Sequence, residues 1–301
     1  MIIAIVGLKY FGNRICEQLN KIDNKNKYIY FNTYYSYKDR LCFLILLPFI
    51  KTVYSINGTI KKSFIFNISF FLKKKVVFHW VGSDLTQAKK DFLDNNYNHS
   101  FIAKPIHLTD TPWYIDELKT IGIKAQFIPL TTVNENYTTR KFPNNFSVLS
   151  YIPELDSNFY GFDRIIDIAN NLKHIHFVIA GISKTNKIIP ENIKLLGWVN
   201  NMEEIIANSI VSLRIPEHDG LSSFIIESLK NERYVLYNIA YNECVLIDDN
   251  QSIIDAILLL EDKFNCGNLP LNTKGRNFVL TNFSEKAIIN NIIFVLTNNK
   301  N

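Results

Sequence analysis

At 301 residues the chain exceeds one ordinary domain and has room for two of about 150 each. It is 47% hydrophobic and 20% charged, which excludes a disordered chain, and a net charge of +5 without an arginine cluster gives no case for a nucleic-acid surface. The four cysteines (Cys16, Cys42, Cys244, Cys266) form no CxxC pair, so zinc and redox motifs are excluded and reduced thiols in a cytosolic setting are expected.

The opening MIIAIVGLKYFG has no basic stretch ahead of its apolar run and reads as a core strand, Ile2–Val6, not a signal peptide. Gly7 and Gly12 bracket a strand-to-helix turn with the spacing of the outer glycines of a dinucleotide fingerprint. Lys9 stands where the middle glycine would let backbone approach pyrophosphate, and no acid ends the second strand, Tyr28–Phe31. An NAD-dependent oxidoreductase is therefore disfavoured and no cofactor is implied. Gly7 is read as a tight turn at the edge of a ligand cleft.

Leu41–Ile50 is apolar but too short to span a bilayer. A strand follows at Thr52–Ile56. Residues 60–75, IKKSFIFNISFFLKKK, admit two readings. One is a core-packing helix with solvated lysine ends. The other is a basic, aromatic helix in peripheral contact with a membrane, at its inner face, with Leu41–Ile50 adding to the same surface. Val76–Trp80 is the next strand, and it runs into His79-Trp80-Val81-Gly82-Ser83-Asp84 before a helix. Strand carboxyl ends bind ligands in open α/β sheets, so His79, Gly82 and Asp84 are expected to line a cleft. The alternatives are a helix N-cap at Ser83 or Asp84 and a buried histidine with its hydrogen bonds satisfied. Phe101–Ala103 and Gln126–Pro129 complete the first set of strands.

Thr131–Asn145 is polar, carries a proline and lacks an apolar period, which marks an inter-domain linker. Beyond it the expected strands are Ser147–Tyr151, His176–Ala180, Ile193–Leu196, Ile210–Leu213, Val235–Tyr237 and Glu243–Ile247, with a last helix over Ser284–Thr297. Strands alternating with helical segments imply βαβ units and parallel sheets. The fold class is α/β: two Rossmann-like domains facing a cleft.

The densest motif is RIPEHDGLSSFIIESLKNERYVLY, Arg214 to Tyr237. Asp219 and Glu227 lie eight positions apart, one on a loop and one on the helix that Gly220 opens. A helix N-terminus attracts phosphate, so a loop acid, a helix start and a helix acid suit the sugar, pyrophosphate and ribose of a nucleotide-sugar. Glu227 sits in the apolar run FIIESL, where an idle carboxylate is costly. Arg214 could meet phosphate or pair with Glu217 or Asp219.

Tyr160-Gly161-Phe162, Ala180-Gly181, Leu196-Gly197-Trp198-Val199 and Asp219-Gly220-Leu221-Ser222 through Glu227 follow one another in a set order. In that order residues 146–240 resemble the C-terminal domain of retaining GT-B glycosyltransferases of the glycosyl transferases group 1 family. The resemblance implies an acceptor-side domain at 1–135, a donor-side domain at 146–283, and a helix at 284–301 packing back on the first. It implies sugar transfer from a nucleotide-sugar to a saccharide or lipid-linked acceptor, in bacterial surface polysaccharide synthesis, without a metal. By the same resemblance Glu227 holds the donor ribose, Asp219 lies at the donor sugar in a catalytic role, and His79 contacts the donor sugar or assists the acceptor. Gly220, Leu221, Ser222 and Gly181 border the donor, with Arg214 as a further donor contact in place of the family's basic pair. Two departures stand out. Tyr160 occupies the place of the family's lysine, and no arginine occurs between Ser147 and Phe159. A GT-B partner subunit with weak catalysis is the alternative they support.

Overall fold

In the computed structural model, residues 1–133 and 140–298 are described. The expected linker Thr131–Asn145 thus falls partly, at 134–139, outside the described residues. The chain divides into two compact units. Unit 1 is Met1–Thr132 with the chain from Glu285 onward, and unit 2 is Val133–Ser284.

Unit 1 runs β1 (Ile2–Gly7), α1 (Lys9–Ile22), β2 (Lys27–Tyr30), α2 (Tyr37–Leu46), β3 (Ile50–Ile56), α3 (Phe64–Phe71) and β4 (Lys75–Trp80). It continues through α4 (Ser83–Leu93), α5 (His99–Ala103), β5 (Ile106–Thr109), α6 (Tyr114–Lys119) and β6 (Ala125–Phe127). Unit 2 runs β7 (Ser147–Ile152), α7 (Phe162–Asn171), β8 (His176–Gly181), β9 (Ile193–Gly197), α8 (Met202–Ala207) and β10 (Val211–Arg214). Then come α9 (Ser223–Lys230), β11 (Tyr234–Tyr237), β12 (Val245–Leu246), α10 (Asn250–Asn265) and α11 (Thr273–Asn282). The last helix, α12 (Glu285–Thr297), packs on unit 1, where the Thr52 hydroxyl donates to the Leu296 carbonyl at 3.0 Å.

Every strand pairing within these sheets is parallel. The strands are buried on both faces, which is why they read as near-continuous apolar runs without alternation. On one face of the first sheet, Ala4, Val6, Val53 and Phe78 pack against Phe43 and Phe66 from α2 and α3. In unit 2, Val148, Phe177, Val211 and Leu213 pack against Phe162, Ile165 and Ile168 of α7.

Two expected strands differ. Phe101–Ala103 is helical, because the Asn98 side chain caps the Ser100 N–H and Phe101 is drawn into a ring cluster with Phe66 and Phe78. The strand lies beyond Pro105, at β5. Glu243–Ile247 shrinks to the two-residue edge strand β12.

Strand order places the sites. The first sheet runs β2-β1-β3-β4-β5-β6, so its order reverses between β1 and β3. The second runs β12-β11-β10-β7-β8-β9 and reverses between β7 and β10. Doubly wound sheets bind ligands at the strand carboxyl ends beside such a reversal.

Candidate functional site

The reversal in unit 2 brings together the loops after β7 and β10. The β7–β10 ladder stops at Leu149 and Ser212, so the two strands part toward their carboxyl ends. The Ser150 hydroxyl bridges the first step, donating to the Leu213 carbonyl at 2.8 Å. Arg214 fills the next, donating from Nη1 to the Tyr151 carbonyl at 3.2 Å. Above, the Glu217 N–H donates to the Phe159 carbonyl at 2.8 Å and joins the two loops. Gly161 caps α7 at φ +81°, and a Cβ there would sit 2.6 Å from the Ile215 carbonyl oxygen. Only glycine satisfies both demands, which accounts for the Tyr160-Gly161-Phe162 turn.

Arg214 and Asp219 form a buried bidentate pair, 5% and 8% exposed. Nε reaches Oδ2 at 2.8 Å and Nη2 reaches Oδ1 at 2.8 Å. The Tyr237 hydroxyl donates to Asp219 Oδ2 at 3.3 Å, and the Tyr160 ring lies 4.9 Å from the guanidinium carbon. Burial opposes the Arg214 charge, but the hydrogen bonds and charge of Asp219 outweigh it, holding the guanidinium above the usual arginine value. Burial, with the Asp219 charge, pushes the Tyr237 hydroxyl above the tyrosine range, so it remains a donor. Of the two readings of Arg214, the structure shows the pairing with Asp219. Arg214 is committed to Asp219 instead of standing ready for phosphate. Asp219 is a carboxylate braced on both oxygens. The tyrosine at the lysine position stacks on this neutral pair and brings no charge of its own.

The start of α9 is different. Ser222 is its N-cap and makes no side-chain capping bond. Among the described residues, the N–H groups of Ser222, Ser223 and Phe224 take no acceptor. Gly220 and Leu221 lead into this end, and the Leu221 side chain is buried. Glu227 follows within the helix, half-buried between Ile226 and Ser228. Gly181 ends β8 at φ +100°, and a Cβ there would meet the Ile152 carbonyl oxygen at 2.3 Å. Gly7 repeats this arrangement in unit 1, at φ +105° with the Ile56 carbonyl oxygen 2.1 Å from a built Cβ. At both positions close strand contact, independent of any ligand, demands glycine.

In unit 1 the His79 expectation is corrected. The side chain is 0% exposed. Its Nε2 lies 2.9 Å from the Ile128 carbonyl and its Nδ1 lies 2.7 Å from the Tyr54 hydroxyl. A carbonyl can only accept, so Nε2 carries the proton and Nδ1 accepts from Tyr54. His107 follows the same pattern, with Nε2 toward the Ile102 carbonyl and Nδ1 accepting from the Trp80 indole N–H at 3.1 Å. Both are core imidazoles with each ring nitrogen hydrogen-bonded inside the unit. Asp84 accepts from the N–H groups of Gly58, Val81, Gly82 and Leu85 and braces the entry to α4. Burial pushes its carboxyl above the usual range, against those four bonds. It also borders a cavity of about 390 Å³ with Asn57, Thr59, Lys61, Ser83 and Gln87. Gly82 caps α4 at φ +145°. Asn57, beside it at φ +138°, is strained for a non-glycine residue. Among the described residues no three His, Cys, Asp or Glu side chains form a metal-ligand group.

The buried histidines set a pH dependence. Burial lowers His79 to about 3 and His107 to about 4, against 6.5 when unfolded. Between these values the unfolded chain binds more protons, so stability falls as pH drops below about 6.5. At pH 5 each histidine removes about 2 kcal/mol, being 1.5 pH units below its unfolded value at about 1.4 kcal/mol per unit. The raised Asp84 carboxyl acts in the opposite sense. In an NMR titration the His79 and His107 rings should stay neutral down to pH 5 while thermal midpoints fall. A ring midpoint near 6.5 contradicts the assignment.

No family model matches the chain, and no curated protein matches it in sequence. Solved structures do match. TarM of S. aureus, a mutant in complex with fondaparinux, α-GlcNAc-glycerol and UDP, superimposes with a TM-score of 0.63 at 14% identity. That match covers 86% of this chain, which spans 58% of the TarM chain. A glycosyltransferase of Rickettsia africae gives 0.70 at 13% identity over 99% of both chains. Sucrose-phosphate synthase of Thermosynechococcus elongatus gives 0.71 at 10% identity over 98% of both. The fold is GT-B. In the GT-B framework unit 2 carries the second Rossmann-type sheet, and the Arg214–Glu227 segment lies at that sheet's strand reversal.

Proposed function

We propose that this GT-B chain transfers a sugar from a nucleotide-sugar bound by unit 2 to a saccharide or lipid-linked acceptor. One observation carries this reading: a helix start with open N–H groups, followed by Glu227, stands at the strand reversal of unit 2. Glycosyl transfer breaks the bond from the anomeric carbon to the diphosphate and leaves negative charge on phosphate. The Ser222, Ser223 and Phe224 N–H groups and the α9 dipole stabilise that charge, and Glu227 accepts hydrogen bonds from the ribose. The Arg214–Asp219 pair fixes the loop that delivers them. The cavity beside Asn57 and Asp84 in unit 1 is the acceptor pocket of this reading. The reaction proceeds without metal or further cofactor and with retention of configuration, in the synthesis of a bacterial surface polysaccharide. The free thiols suit a cytosolic enzyme.

TarM binds UDP in its complex, which makes UDP-sugars the first donors to assay. Purified chain with a labelled UDP-sugar and a saccharide or lipid-phosphate acceptor should yield labelled product, or free sugar by slow hydrolysis. A second reading, a GT-B binding subunit with weak catalysis, is favoured by the loop 153–160, which carries Glu154 and Asp156 and no cation. On that reading nucleotide binds while neither transfer nor hydrolysis appears with any donor.

A further inference from the structure

We propose that the face of unit 1 formed by α2 and α3 docks on an anionic lipid bilayer, with a lysine-lined groove beside it holding headgroup phosphates. This does not depend on the reaction proposed above. Between Asp39 and Asp84 the chain has no acidic residue, six lysines and Arg40. The same stretch turns its apolar side chains outward. Tyr37, Leu41 and Ile45 recur every fourth residue along α2, Phe49 follows in a short 3-10 turn, and Phe64 and Phe71 project from α3. All six are between 60% and 85% exposed.

The opposite sides of these helices bury Phe43 and Phe66 in one core cluster, so both cover the same face of the sheet. Lys74 Nζ donates to the Pro48 carbonyl at 2.8 Å and ties the end of α3 to the turn after α2. Single exposed apolar residues are ordinary, but six on adjoining helices mark an interaction surface. The groove, about 600 Å³, opens at the amino ends of β4 and β5, away from the ligand-binding ends of the sheet. Lys73, Lys74, Lys75 and Lys104 line it, with Lys104 Nζ 5.5 Å from the Phe70 ring centroid. Lys75 is held by the Val295 and Asn298 carbonyls. Among the described residues none of these four ammonium groups meets a carboxylate. Clustered lysines beside exposed aromatic and aliphatic side chains match an anionic bilayer, whose phosphates take the cations while the apolar groups enter the acyl boundary.

Vesicle co-sedimentation of the full chain tests this. Binding should appear with phosphatidylcholine vesicles containing phosphatidylserine, vanish without phosphatidylserine and weaken in high salt. Lys73→Glu with Lys74→Glu and Lys104→Glu should lower partitioning at least about tenfold. Phe49→Ser with Phe71→Ser should do the same with every charge kept. Phe49, Phe71, Lys73 and Lys104 are exposed and Lys74 is half-buried, so a melting curve of each variant checks that the fold is kept. Equal binding to neutral vesicles, no binding to either, or indifference to both variants overturns the proposal. So does a dimer in sedimentation velocity that Phe49→Ser with Phe71→Ser abolishes, since a second copy would then cover the face.

Discussion

Arg214→Met should destabilise unit 2 by about 3–5 kcal/mol, because it leaves the buried Asp219 carboxylate without its charge partner. An exposed pair would yield about 1 kcal/mol or less, so the size of the loss discriminates. In a unit of this size the loss lowers the thermal midpoint by about 6–20 °C. The reciprocal variant, Asp219→Leu, strands the guanidinium and should cost a similar amount. The double variant should recover most of the loss, since a neutral apolar pair strands no charge. Denaturant unfolding of the four proteins measures this directly. Additive single losses would show that the pair does not act as a unit.

Glu227→Ala should cut sugar transfer at least about 100-fold, equivalent to about 2.7 kcal/mol of transition-state stabilisation, while the fold persists. Glu227 is half-buried on α9, and a thermal melt of the variant separates loss of transfer from loss of fold. Steady-state kinetics divide the loss. A ribose contact made equally in ground and transition states raises KM and leaves kcat nearly unchanged. Unchanged kcat/KM removes Glu227 from the donor site.

Much of this architecture is legible along the chain. Parallel strands covered on both sides must be apolar runs, and the glycines that end β1 and β8 punctuate them. Such runs hide which side chain faces where, because a strand buried on both faces has no polar side to betray its phase. His79 was therefore open to two readings, and its partner Tyr54 lies on a different strand. Phe101–Ala103 looks like a strand by composition, and the Asn98 cap and the Phe66 and Phe78 rings decide otherwise.

The site divides along the same line. The spacing of Asp219 and Glu227 and the helix between them are local, and the sequence displays them. The commitment of Arg214 is not local: it depends on the parting of β7 from β10, on Tyr160 from the loop after β7 and on Tyr237 from β11. No spacing announces those neighbours. Tyr160 and Tyr237 both stand in the quoted motifs, but their bracing of the Arg214–Asp219 pair is a long-range contact that the spacing does not display.

The central claim is that the start of α9 and Glu227 hold a nucleoside diphosphate. Calorimetric titration of the full chain with UDP, GDP, ADP, CDP and dTDP tests it most directly. The account predicts one-to-one binding of at least one of them, weakened at least about tenfold by Glu227→Ala in a protein that melts as the parent does. Binding of none, or equal binding by Glu227→Ala, would contradict it.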